Sequence, residues 1–157
     1  MSIAPQRSEQ PQWLTPSQLH AWRELATLMT RLPAALEAQL KREAGLSFLE
    51  YYVMAGLSDQ PDHAMRLSEL ADRAHSELSR LSHLVARLER RGFVQRVTDC
   101  DDGRFTKAVL TEAGLAHMVK VAPAHVEEVR RLVFAVLDDA EVEALDATAR
   151  KINDGLR

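Results

Sequence analysis

Leu78-Ser79-Arg80-Leu81-Ser82-His83-Leu84-Val85-Ala86-Arg87-Leu88-Glu89-Arg90-Arg91-Gly92-Phe93-Val94-Gln95-Arg96-Val97 is the stretch on which the fold turns. Leu78, Leu81, Val85 and Leu88 recur at i, i+3, i+7 and i+10, the buried stripe of an amphipathic helix reaching about Arg91 and stopped by Gly92. The period then drops to two, and 93–97 reads as a strand. Phe105-Thr106-Lys107-Ala108-Val109-Leu110 reads as a second. The polar segment between them, with Asp102-Gly103 near its end, reads as a hairpin tip. Upstream, Ser68-Glu69-Leu70-Ala71 starts a short helix ending near Ala74, followed by the turn His75-Ser76-Glu77. Short helix, turn, longer helix and two-stranded hairpin, in that order, predict a winged helix-turn-helix.

The longer helix has a second face. Ser79, Ser82, His83 and Ala86 lie at i, i+3, i+4 and i+7, flanked by Arg80 and Arg87. Small side chains let a helix approach base edges, and the arginines can reach phosphates or the N7 and O6 of guanine. A plain solvated helix would more often carry Glu and Lys here. The formal net charge of −3 argues at first against nucleic acid. Its distribution argues otherwise, since 73–96 holds six arginines against Glu77 and Glu89. Sixteen of the 20 basic residues are arginine, the side chain suited to forked contacts with phosphates and bases.

Outward from this centre, residues 1–12 are polar, carry Pro5 and Pro11, and read as a disordered arm. Thr15-Pro16 starts a long helix with Leu19, Trp22, Leu25, Ala26, Met29, Leu32, Leu36 and Leu40 on one side, ending near Gly45. Pro33 should kink or split it. Ser47-Phe48-Leu49-Glu50 is a capping box opening a helix to about Leu57, with Leu49, Tyr52, Val53 and Leu57 as its expected core face. Residues 58–65 read as a loop. Thr111 caps a helix reaching about Leu137 through Pro123, and Asp138-Asp139 open a last helix toward Leu156. The expected fold is mainly α with a small β-hairpin wing. It divides into a dimerisation helix at 13–46, a winged domain at 47–114 and C-terminal dimerisation helices at 115–157.

The chain resembles the MarR (multiple antibiotic resistance regulator) family of bacterial transcription factors. The resemblance lies in Leu67-Ser68-Glu69-Leu70-Ala71, in 81–96, in Asp102-Gly103-Arg104 and in Val109-Leu110-Thr111-Glu112-Ala113-Gly114. It implies a homodimer whose first and last helices interlock, acting on double-stranded DNA as a sequence-specific regulator, with repression as the expected action. It also implies a recognition helix in the major groove and a wing arginine in the adjacent minor groove. By motif position, Ser79, Arg80, Ser82 and His83 face bases or phosphates and Arg104 is the wing-tip arginine. Arg87, Lys107 and Ser68 complete the DNA-contacting candidates. Asp102 is expected to hold the Arg104 guanidinium through a charge-assisted hydrogen bond. Gly103 stands where many relatives carry a further arginine, and Glu77 puts a carboxylate before the recognition helix.

Relatives often bind a small phenolic or lipophilic effector between the dimer helices and the winged domain. The aromatic or polar candidates for such a pocket are His20, Trp22, Tyr51 and Tyr52, although aromatic residues at helical spacing more often serve the core. Cys100 sits at the expected wing tip beside Asp99 and Asp101, where carboxylates disfavour the thiolate, so it reads as an inert surface thiol. The six histidines have no metal-ligand spacing, and no cofactor motif is present. Neither a nucleophile elbow nor a Gly-rich phosphate loop occurs, so no enzymatic chemistry is expected. No apolar run approaches the roughly 18 residues of a membrane span. The N-terminus lacks the apolar core of a secretory signal, and with a single cysteine the expectation is a cytoplasmic protein. The other reading is a winged-helix protein-interaction module without specific DNA binding, motivated by the net acidity, Gly103 and Glu77.

Overall fold

The computed structural model describes residues 11–156. The arm expected at 1–12 lies, up to residue 10, outside the described residues. The elements are α1 (Pro16–Ala44), α2 (Phe48–Ser58), β1 (Ala64–Arg66), α3 (Leu67–Arg73), α4 (Leu78–Arg90), β2 (Val94–Thr98), β3 (Thr106–Leu110), α5 (Glu112–Leu132) and α6 (Asp139–Gly155). A 3-10 turn, Phe134–Val136, separates α5 from α6. The chain divides into two compact units, the first ending at Leu32 and the second starting at Pro33. Pro33 lies inside α1 and does not split it. Among the described residues no helix is long and apolar enough to cross a membrane.

In the first unit, Thr15 and Gln18 cap the start of α1 reciprocally. The Gln18 N–H donates to Thr15 Oγ1 at 3.2 Å and the Thr15 N–H to Gln18 Oε1 at 2.9 Å. The expected apolar stripe is present but exposed there: Leu19, Trp22, Leu25 and Met29 all keep large solvent-facing surfaces, as do Trp13, Leu14 and Leu28.

In the second unit, one core is built from the end of α1 (Leu40, Ala44), the loop residue Leu46, α2 (Val53, Met54, Leu57), α3 (Leu70, Ala71), α4 (Leu81, Leu84, Val85, Leu88), the sheet (Val94, Ala108, Leu110) and α5 (Met118, Val121). The capping box expected at Ser47 is formed: Glu50 N–H donates to Ser47 Oγ and Ser47 N–H to the Glu50 carboxylate. The sheet is antiparallel with order β1-β3-β2. Gly92, at φ +75°, ends α4 in the left-handed region and turns the chain into β2. Thr111 ties two elements together, donating from Oγ1 to Gly92 O at 2.6 Å and accepting from Gly114 N–H at 3.0 Å.

Four expectations need correction. Residues 58–65 are not wholly loop: β1 begins at Ala64 and pairs Ala64 with Val109 and Arg66 with Lys107. Leu78 is 51% exposed, and Leu84 takes its place in the buried stripe of α4. Tyr52 is 43% exposed, whereas Met54 is fully buried in α2. The fifth helix ends at Leu132, and the chain to Leu137 is carried by the 3-10 turn.

Candidate nucleic-acid interface

Helix α3 and helix α4 pack through Leu70, Ala71, Leu81, Leu84 and Val85, which leaves the opposite side of α4 free. Between them the turn 74–77 is closed by Ser76 N–H donating to Ala71 O at 3.0 Å, with His75 at φ +46°. On the free side Ser79, Arg80, His83 and Arg87 are exposed and Ser82 is half-buried. Ser68, at the start of α3, is exposed as well. Leu67, Ser68, Leu78, Ser82, Arg104, Phe105 and Thr106 line one open cleft of about 320 Å3 between the helices and the wing. Three residues chosen from sequence, Ser68, Ser82 and Arg104, thus share a single concavity. A second groove, of about 550 Å3, runs along α4 past Ser79, Arg80, His83 and Arg87 and is bounded by Glu37, Ser47 and Leu49.

The basic side chains differ in how they are held. Arg104 lies in the wing and is gripped by Asp102, Nε to Oδ1 at 3.0 Å and Nη2 to Oδ2 at 2.7 Å, as its spacing implies. The pair lowers the carboxyl pKa and raises that of the guanidinium, in each case chiefly through the side-chain hydrogen bond. Arg87 reaches back to Glu50 of α2, Nε to Oε1 at 3.2 Å, and so braces α4 against α2. Lys107 faces the buried Asp99 at 3.2 Å. Arg96 turns to Glu89, whose carboxyl is held below its usual range mainly by the Arg96 backbone N–H. Arg80 and His83 carry no ion pair among the described residues, so α4 presents them to whatever binds.

Sequence reasoning places Asp99 and Phe105 in the hairpin but gives neither a role, and it leaves Arg66 out of the wing altogether. Asp99 was legible only as one acid of a polar loop, whereas its carboxylate is fully buried on Arg66 and Lys107. Cys100 next to it is exposed.

The effector candidates fall in separate places. His20 and Trp22 are exposed in the first unit. In the second unit Tyr51 is half-buried with its ring 4.3 Å from that of His125, and burial raises the phenol pKa. His125 Nδ1 lies 3.1 Å from the Gln39 side-chain oxygen; because that oxygen accepts, the proton sits on Nδ1. Tyr52, one residue on, points elsewhere and donates to Arg73 O at 3.4 Å.

A buried-core helix pair, a solvent-facing second helix and a β-hairpin with an arginine at its tip define a winged helix-turn-helix protein. The sequence model of the MarR family matches residues 46–106, which hold both helices and most of the wing. The chain is 36% identical to Sco3205, a MarR family transcriptional regulator from Streptomyces coelicolor solved in complex with DNA; the match covers 96% of this chain and 94% of that one at a TM-score of 0.91. With AbsC, another MarR family transcriptional regulator of S. coelicolor, it shares 37% identity over 94% of this chain and 99% of that one, at a TM-score of 0.89. A 28% identical match to the HTH-type transcriptional repressor YetL of Bacillus subtilis (strain 168) spans 110 residues, 70% of this chain and 64% of YetL, just under two thirds of that relative's length. The chain belongs to the MarR family of transcriptional regulators.

Proposed function

We propose that this protein is a homodimeric, sequence-specific DNA-binding regulator, acting as a repressor in the cytoplasm by binding and not by catalysis. The observation that carries the reading is the cleft where Ser68 of α3, Ser82 of α4 and Arg104 of the wing converge. In this reading α4 enters the major groove with Ser79, Arg80, Ser82 and His83 toward the bases or phosphates. Arg104 enters the neighbouring minor groove, whose negative potential favours arginine. Ser68 meets the backbone, Arg87 lends positive charge from a position fixed by Glu50, and Lys107 supports the wing from a position fixed by Asp99. Residues 47–114 form the DNA-binding domain.

Residues 13–46 and 115–157 serve dimerisation. Helix α6 has no buried residue, and Val119, Val126, Phe134, Val136, Leu145 and Ile152 are all largely exposed. A monomer rarely leaves so much apolar surface to water. Two subunits would read half-sites about one helical turn apart. A small aromatic or lipophilic effector that binds a dimer conformation with the wrong half-site spacing would release the DNA. The similarity to the repressor YetL and to Sco3205, solved in complex with DNA, supports the repressing, DNA-binding part of the reading.

The test is selection of duplexes from a randomised pool, followed by a gel shift, together with a mass measurement in solution. A two-fold multiple of 17.6 kDa and an enriched pseudopalindrome are expected. A monomer, or no shift at low salt, would overturn the proposal; the latter outcome would favour a protein-interaction module.

A further inference from the structure

The wing contains a buried carboxylate held by two cations from other elements. The Asp99 side chain has no exposed surface. Its Oδ2 accepts from Arg66 Nε at 2.6 Å, its Oδ1 accepts from the Asp101 N–H at 3.1 Å, and Lys107 Nζ lies 3.2 Å from Oδ1. These partners come from different elements. Arg66 ends β1 and is the N-cap residue of α3, Lys107 is in β3, and Asp99 follows β2. Arg66 and Lys107 are also direct register partners across β1 and β3. Like charges opposite one another weaken a ladder. A shared anion between them reverses the sign and makes the pair a clamp. A carboxylate is retained without solvent only when it is paired and hydrogen-bonded, and Asp99 is both.

The clamp extends to the wing tip. The Asp99 N–H donates to Phe105 O at 2.9 Å, closing the loop that carries Arg104. The Arg66 guanidinium covers the Phe105 ring at 4.5 Å, and the Arg104 guanidinium stands 6.0 Å from the same ring. Phe105 and Arg104 form the wing side of the cleft whose helical side is Ser68 and Ser82.

We infer that Asp99 is a positioning residue: by clamping Arg66 and Lys107 it fixes the wing, and with it Arg104, at a set distance from the reading face of α4. The inference rests on the DNA-binding reading above. It has an electrostatic signature, because position and charge predict opposite signs. Asp99→Asn removes an anion beside two cations, so charge alone predicts tighter binding to any duplex and a steeper salt dependence. Loss of position predicts weaker binding to the preferred duplex only.

The experiment uses fluorescence anisotropy with the full-length protein, a labelled duplex that the wild type has enriched from a randomised pool, and a scrambled duplex. The Asn variant is expected to bind the enriched duplex about tenfold more weakly and the scrambled one equally or more tightly. A folded, correctly assembled Asn variant that binds the enriched duplex as well as the wild type overturns the clamp. If that variant does not fold, Lys107→Met decides, since its side chain is partly exposed. A clamp predicts loss on the enriched duplex with an unchanged salt slope, because the ammonium is already engaged by Asp99. Equal loss on both duplexes with a slope smaller by about one makes Lys107 a phosphate ligand and overturns the inference. Failure of the wild type to enrich any duplex is a different result: it removes the DNA-binding reading itself.

Discussion

Asp102 holds Arg104 at three points: the Arg104 backbone N–H donates to Oδ1 at 3.1 Å, Nε to Oδ1 at 3.0 Å and Nη2 to Oδ2 at 2.7 Å. The arginine side chain nevertheless remains 84% exposed. The guanidinium is therefore aimed before any ligand arrives, and it can meet a phosphate or a narrow groove without first giving up burial. Preorganisation of this kind cuts the ordering cost of binding.

Arg104→Ala should weaken DNA binding and flatten its salt dependence, with the slope falling by about one for one phosphate no longer neutralised. Arg104→Lys should preserve most of the slope and lose affinity, because an ammonium cannot make the forked contact with Asp102. A salt titration by anisotropy reads both effects. Unchanged affinity and slope in the Ala variant would remove Arg104 from the interface.

Ser82 and His83 lie on the open side of α4, His83 without an ion pair. Substitution of either should change which sequences are preferred, at about 1–3 kcal/mol of discrimination for each base edge no longer read. Repeating the selection with Ser82→Ala and His83→Ala tests this. Equal weakening on enriched and random duplexes would argue that the side chain meets the DNA backbone instead.

The helix-turn-helix and wing were legible because local signals agree there: a 3.6-residue period, Gly92 as a stop, then a two-residue period. Strand β1 gave no such signal, since three residues without a β-branched side chain take their strand character from pairing with Val109, Ala108 and Lys107. Leu78 fits the stripe by spacing, yet it stands at the first turn of α4 and borders the clefts instead of the core. Arg104 with Asp102 could be read two residues apart. Asp99 with Arg66 could not, because 33 residues separate them and it takes both the β1–β3 and the β2–β3 pairing to bring them together.

Gly114 belongs to the sequence motif that closes the wing, and the fold gives it a steric reason. A Cβ there would stand 2.1 Å from Phe93 O and 2.8 Å from Leu110 Cδ1. Gly114→Ala must push α5 away from the start of β2 and strain the Thr111 cap. A loss of about 1–3 kcal/mol or more is expected, as for other overpacked sites. Thermal unfolding at matched protein concentration measures it. An unchanged midpoint would mean that α5 and β2 separate freely at this point.

His125 supplies a pH dependence with a defined sign. Burial lowers its pKa below the ordinary 6.5, opposed by the nearby Glu128 carboxylate; Tyr51 and Gln39 are its neutral neighbours. The fold therefore prefers the neutral ring, and the unfolded chain binds the proton more readily. Stability from this residue is complete above about 6.5 and is lost as pH falls from there to the lowered folded value. The neighbouring Glu43 and Glu128 carboxyls, held below their usual 4.5 mainly by side-chain hydrogen bonds from Gln39 and Arg131 respectively, lose their contributions at lower pH, so the two effects separate. Between pH 7.5 and 5.5 the melting temperature of the wild type should fall. His125→Gln, which keeps a donor for the Gln39 oxygen and cannot take up a proton, should flatten that segment of the curve. Parallel curves for the two proteins would assign the dependence to another group.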